Sequence, residues 1–122
     1  MEYVYLNKEV IYSNIRNLSQ VTFEVTDACN FQCKYCGYGE LYDGYDTRKS
    51  KMLSLEQAYP LLEYLYAHWQ QSDSYRKKTY ISFYGGEPLL NMDFIRGIVG
   101  WIMNHQIPQC DFVFTMTTNG ML

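Results

Sequence analysis

A chain of 122 residues with 48% apolar content is sized for one domain with an ordinary core. Its net charge of −3, with mixed signs and no basic block beyond Arg76-Lys-Lys78, argues against a nucleic-acid groove as the main surface. The longest apolar run, Ile98 to Met103, is broken by Gly100 and far too short to span a bilayer, which argues against a membrane protein.

Met1-Glu-Tyr-Val lacks the basic start and apolar stretch of a signal peptide, so a cytoplasmic location is expected. Four cysteines in such a chain fit a reducing compartment, where thiolates stay available for metal. Tyrosine, with thirteen copies against six phenylalanines, places many hydroxyl-bearing rings at boundaries and interfaces.

Residues 1–19 read as an approach segment. Tyr3-Val-Tyr-Leu6 and Glu9-Val-Ile-Tyr12 are β-prone runs, and Asn7-Lys8 between them suggests a short β-hairpin. Gln20 to Thr26 alternates Val21, Phe23 and Val25 with Thr22, Glu24 and Thr26, the period of a strand with unlike faces. Directly after it come Cys29, Cys33 and Cys36, in Thr26-Asp-Ala-Cys-Asn-Phe-Gln-Cys-Lys-Tyr-Cys-Gly37. Three thiolates on a short loop form a soft anionic ligand set suited to an iron–sulfur cluster. A [4Fe–4S] cube held by three cysteines keeps one iron open to a small-molecule ligand. Two other readings stand beside this one. Structural zinc takes four ligands, and Cys110, with His105 near it, is the available fourth cysteine. Cys33-Lys-Tyr-Cys36 also has the spacing of a redox dithiol, although Cys29 is then unexplained.

A long polar stretch runs on to Lys51 without periodicity, as functional loops do. Ser54-Leu-Glu-Gln57 is a capping-box pattern opening a helix whose stripe is Leu55, Ala58, Leu61, Leu62, Leu65, Tyr66 and Trp69. Pro60, beyond the first turn, predicts a kink or a later regular start. Thr79 to Tyr84 is a second strand, ending in Gly85-Gly-Glu-Pro88. Asn91 is placed to cap a second helix bearing Phe94, Ile95, Ile98, Val99, Ile102 and Met103, and Pro108 lies beyond its end. Cys110 to Thr117 is a third strand, followed by Thr118-Asn-Gly120.

Strand, helix, strand, helix, strand predicts an α/β architecture of three parallel strands joined by two crossover helices, with all three polar motifs at strand C-terminal ends. One set of strand faces is apolar (Val21, Phe23, Val25, Ile81, Phe83, Phe112, Phe114, Met116) and suits covering helices. The other is largely hydroxylic and includes Glu24, which predicts a wet, polar lumen, or a face solvated because the barrel is incomplete.

Together, Cys-Asn-Phe-Gln-Cys, Gly-Gly-Glu-Pro and Thr-Thr-Asn-Gly resemble the signatures of the radical S-adenosylmethionine enzymes, most closely the branch containing peptide and sulfatase maturases. Tyr38-Gly-Glu-Leu-Tyr42 also resembles a feature of peptide maturases. The resemblance implies that Cys29, Cys33 and Cys36 hold a [4Fe–4S] cluster, and that Tyr35 lies near the adenine of S-adenosylmethionine. It implies that Gly85, Gly86 and Glu87 meet the cofactor's amino group and that Thr118 and Asn119 face the same pocket. The implied reaction cleaves S-adenosylmethionine to a 5′-deoxyadenosyl radical, which abstracts a hydrogen from a peptide or protein substrate.

The family's barrel has more strands than these three. The expectation is therefore that residues 20–122 are the N-terminal part of a partial (β/α) barrel from a larger enzyme. Such a piece is expected to be inactive alone and to self-associate through its third strand or exposed sheet face. The competing function class is a non-catalytic metal-binding module, with zinc or a structural cluster supporting partner binding.

Overall fold

The computed structural model describes residues 7–27, 51–73 and 76–120. Three strands, β1 (Gln20–Thr26), β2 (Lys77–Gly85) and β3 (Cys110–Met116), form one sheet in that order, with both pairs parallel. The alternation in Gln20 to Thr26 gives a strand with those same bounds. Between the strands run helix α2 (Leu55–Trp69) and helix α3 (Met92–Met103), and helix α1 (Lys8–Arg16) precedes them.

Both crossover helices pack on the same side of the sheet. Phe23 stands edge-on to Phe94 of α3 at 5.5 Å and stacks with Phe83 at 6.2 Å, while Trp69 of α2 meets Phe112 at 5.5 Å. Val25, Leu62, Ile81, Ile98 and Ile102 are fully enclosed between them. On the other side, Thr22, Glu24, Tyr80, Tyr84 and Thr115 are exposed. Sequential strand order with every crossover helix on one face is the wall of a (β/α) barrel; a doubly wound sheet places helices on both faces. The open face is polar as expected, and its hydroxyls are linked across strands. Ser82 Oγ lies 2.6 Å from Thr115 Oγ1 and accepts from Gln20 Nε2 at 3.1 Å.

The capping box of α2 is complete: Ser54 Oγ accepts from the Gln57 amide, and the Gln57 side chain accepts from the Ser54 amide. Helix α2 starts at Leu55 and continues through Pro60, so the proline does not postpone the regular start. Ala58, Leu62, Leu65 and Trp69 form its buried stripe, whereas Leu61 faces solvent. In α3 the buried positions are Phe94, Ile95, Ile98 and Ile102, and Met103 is exposed. Replacing Ser54 with alanine removes one half of the box and is expected to cost about 1 kcal/mol of stability, read as a lowered urea midpoint.

The expected hairpin is corrected. Glu9 to Tyr12, read as its second strand, lies in α1; Tyr3 to Leu6 falls outside the described residues. The reason is local. The Asn7 side chain accepts a hydrogen bond from the Val10 amide at 2.9 Å, so Asn7 caps a helix where a hairpin turn was expected. Ile15 and Leu18 then reach the core, and Tyr12 stacks on His68 of α2 at 5.5 Å. Among the described residues, no helix is long and apolar enough to cross a membrane.

Candidate functional site at the strand C-terminal ends

Parallel pairing brings the last residues of β1, β2 and β3 to one edge of the sheet. The polypeptide leaves β1 at Thr26 and comes back beside it. Thr26 and Met52 form an antiparallel bridge, and Leu53 N donates to Val25 O at 2.9 Å. Asp27 N donates to Lys51 O, Thr26 Oγ1 donates to the same carbonyl at 2.8 Å, and Lys51 N donates to Asp27 Oδ1 at 2.6 Å. The base of the cysteine segment is therefore closed by main-chain and side-chain bonds. An open cavity of ≈ 270 Å³ adjoins it, lined by Glu24, Asp27, Lys51 and Gln57 among others. Cys29, Cys33, Cys36 and Tyr35 lie outside the described residues.

The Gly-Gly-Glu-Pro turn is locked onto this base. Gly85 has a φ of +149°, and a Cβ there would lie 2.2 Å from Thr26 O. Only glycine fits such a backbone with a carbonyl pressed against its Cα. Gly86 N then donates to that same Thr26 oxygen at 2.9 Å. The close approach that Gly85 permits is thus to β1 of its own chain.

Glu87 is buried, at 1% exposure. Its Oε1 accepts from the Leu89 amide at 3.2 Å and from the Thr118 hydroxyl, and its Oε2 accepts from the Asn119 amide at 2.8 Å. A buried carboxylate needs such donors, because leaving it unpaired costs several kcal/mol, roughly. Thr118 Oγ1 also accepts from Gly120 N at 2.9 Å, and Gly120 turns the chain with φ +74°. The second and third motifs, separated by a helix and a strand in sequence, are one hydrogen-bonded unit in space.

Sequence reasoning missed the part played by Asn91. It precedes α3, but its side chain makes no capping bond. Instead Pro88–Asn91 forms a single 3₁₀ turn that carries the Asn91 amide across to β1. There Nδ2 donates to Val25 O at 2.8 Å and to Leu53 O at 3.1 Å, tying together both sides of the cysteine segment's base. No local signal marks this role, because asparagine before a helix is commonly its cap and both partners are distant in sequence.

Cys110 sits at the other end of the sheet. It is buried at the start of β3, in register with Lys77. Six residues of strand, about 20 Å, separate it from Met116 at the motif edge. Lys77 is lowered from the ordinary lysine range, because burial outweighs the opposing attraction of Cys110. His105 is engaged structurally: its ring stacks on Trp101 at 3.8 Å and Nδ1 lies 2.6 Å from Trp101 O. Among the described residues, no three His, Cys, Asp or Glu side chains cluster as a metal site.

The arrangement fits the groups implied by the motifs. The segment whose sequence carries the three cysteines begins and ends at this closed base, and cysteine thiolates are the donors an iron–sulfur cluster requires. Beside that base lie half-buried Gly85 and Gly86, exposed Thr118 and Asn119, and the open polar sheet face, which together suit a small zwitterion.

The chain is similar in sequence to several known proteins. A cysteine-type anaerobic sulfatase-maturating enzyme from Clostridium novyi is 22% identical over 107 residues, 87% of this chain and 27% of that protein. The radical SAM cyclopropyl synthase TigE from Paramaledivibacter caminithermalis is 25% identical over 111 residues, 86% of this chain and 23% of that protein. A GTP 3′,8-cyclase from Shewanella denitrificans is 37% identical over 106 residues, 86% of this chain and 27% of that protein. The chain thus spans about a quarter of the length of these curated relatives. No solved structure matches it significantly. The profile described as Radical SAM superfamily covers residues 23–122, so that the three strand-end motifs and the barrel wall carrying them are matched together: the chain belongs to the radical SAM superfamily.

Proposed function

We propose that Cys29, Cys33 and Cys36 hold a [4Fe–4S] cluster and that the neighbouring strand ends bind S-adenosylmethionine, in a protein that modifies a peptide or protein substrate. The observation that carries this reading is the union of the three strand ends. The base of the cysteine segment, the Gly85-Gly86 turn and the Thr118-Asn119 turn are bonded into one edge. When bound, and with the cluster reduced by an external one-electron donor, the two groups would supply reductive cleavage of S-adenosylmethionine.

The chain's own residues bind and orient. The closed base at Val25, Asp27, Lys51 and Leu53 fixes where the cysteine segment starts and ends. Gly85, Gly86, Thr118 and Asn119 form the cofactor's amino-acid subsite, with the Glu87 carboxylate buried beneath them, and Tyr35 is its adenine neighbour. The hydroxyls and tyrosines of the open sheet face line the space for substrate.

Anaerobic reconstitution is expected to give about four irons and matching sulfide per chain. Alanine at Cys29, Cys33 or Cys36 is expected to abolish this, and Cys110→Ala to leave it unchanged. Stoichiometric zinc without sulfide, or a need for Cys110, would favour the metal-binding module instead.

The substrate class has a second reading. The 37% identity to a GTP 3′,8-cyclase favours a nucleotide. Measuring 5′-deoxyadenosine release from the cluster-loaded full-length protein with peptides and with nucleoside triphosphates separates the two, because productive substrate raises turnover of the cofactor.

A further inference from the structure

Glu87 is the one acidic side chain of the three motifs held inside the described structure, and its surroundings assign it a different task from direct contact. Its carboxylate is 1% exposed, whereas Thr118 and Asn119, which donate to it, are exposed. A small ligand arriving at the strand ends meets those two residues before it meets the carboxylate beneath them. Thr118 also relays the contact onward, since its oxygen accepts from Gly120 N while its proton is given to Glu87. The geometry sets the Thr118-Gly120 turn against the Gly85-Gly86 turn with Glu87 as the bolt between them.

We infer that Glu87 is a positioning residue, whose buried carboxylate holds the Thr118-Asn119 turn in the conformation that binds S-adenosylmethionine. This rests on the cofactor reading given above and deepens it. Glu87 acts through the turn, so its removal and the removal of the Thr118 hydroxyl disturb the same structure. A carboxylate meeting the ligand directly would contribute independently of Thr118.

A double-mutant cycle separates these cases. In the cluster-loaded full-length protein, Glu87→Gln and Thr118→Val are each expected to weaken S-adenosylmethionine binding about tenfold, and the double variant no further. Thr118→Ser, which keeps the hydroxyl, is expected to bind as the unaltered protein does. Multiplying losses, about a hundredfold in the double variant, would overturn the inference in favour of direct contact.

A second measurement needs no cofactor. The Asn119 amide is expected to be protected from hydrogen exchange, and Glu87→Gln to speed its exchange at least about tenfold. Unchanged exchange at Asn119 would overturn the clamp whatever the binding data show. If Glu87→Gln does not fold, Thr118→Val, altered at the surface, carries the exchange test. If the unaltered full-length protein binds no S-adenosylmethionine, the cofactor reading fails, and exchange at Asn119 still decides whether Glu87 holds the turn.

Discussion

Replacing Gly85 with alanine is expected to unfold most of the protein at room temperature. The added Cβ would meet Thr26 O at 2.2 Å, with Thr26 N at 3.2 Å and Thr26 C at 3.3 Å. All three are main-chain atoms of β1, so no side-chain rotation relieves the clash. A φ of +149° adds strain of about 1–3 kcal/mol for any residue with a Cβ. Relief requires β1 and β2 to separate at their C-terminal ends, which also breaks the bond from Gly86 N to Thr26 O. The combined cost is expected to exceed about 4 kcal/mol, a large part of the stability of an ordinary domain. Circular dichroism with urea titration reads it directly. Gly100 is the matched control. A Cβ there meets nothing within 4 Å, and alanine favours a helix interior over glycine by up to about 1 kcal/mol. Gly100→Ala is therefore expected to be neutral or mildly stabilising. Equal stability of the two variants would mean that β1 and β2 are not in contact at Gly85.

The difference between these glycines shows what the residue pattern carries and what it does not. Strand β1 was legible because Val21, Phe23 and Val25 alternate with polar residues, and burial follows that alternation. The start of α2 was legible because Ser54 and Gln57 are near neighbours whose bonds form within one turn. Helix α1 was misread because Val10, Ile11 and Tyr12 are β-prone, and what decides the matter is the Asn7 cap and the packing of Tyr12 on His68. The motifs themselves were legible as glycine-rich and hydroxyl-rich turns after strands. Their mutual bonds were not, because Glu87 and Thr118 become neighbours only after β2 and β3 pair in parallel. Likewise nothing local distinguishes an asparagine that caps a helix from one that reaches to another strand. Asn91 stands where a cap belongs and bonds elsewhere.

Exchanging Asn91 for aspartate is expected to weaken both the fold and the hold on the cluster. The two side chains have nearly the same shape, but the aspartate oxygen that replaces Nδ2 has no proton to donate. It would face Val25 O and Leu53 O at the distances now spanned by hydrogen bonds, 2.8 and 3.1 Å. Two donated bonds are lost, each worth about 1–3 kcal/mol when its acceptor stays buried, and two oxygen–oxygen repulsions replace them. Val25 O keeps the bond from Leu53 N, so the expected loss is about 2–4 kcal/mol, short of complete unfolding. The loss falls where the cysteine segment begins and ends. Iron retained after anaerobic reconstitution and gel filtration is therefore expected to drop more steeply in Asn91→Asp than in a variant of equal stability loss elsewhere. Leu62→Ala, buried between α2 and the sheet, provides that comparison at about 2–5 kcal/mol. If both variants keep the same iron at matched urea midpoints, Asn91 stabilises the barrel wall alone. If only Asn91→Asp sheds iron, the amide that spans Val25 and Leu53 holds the two ends of the cysteine segment at the spacing its cluster needs.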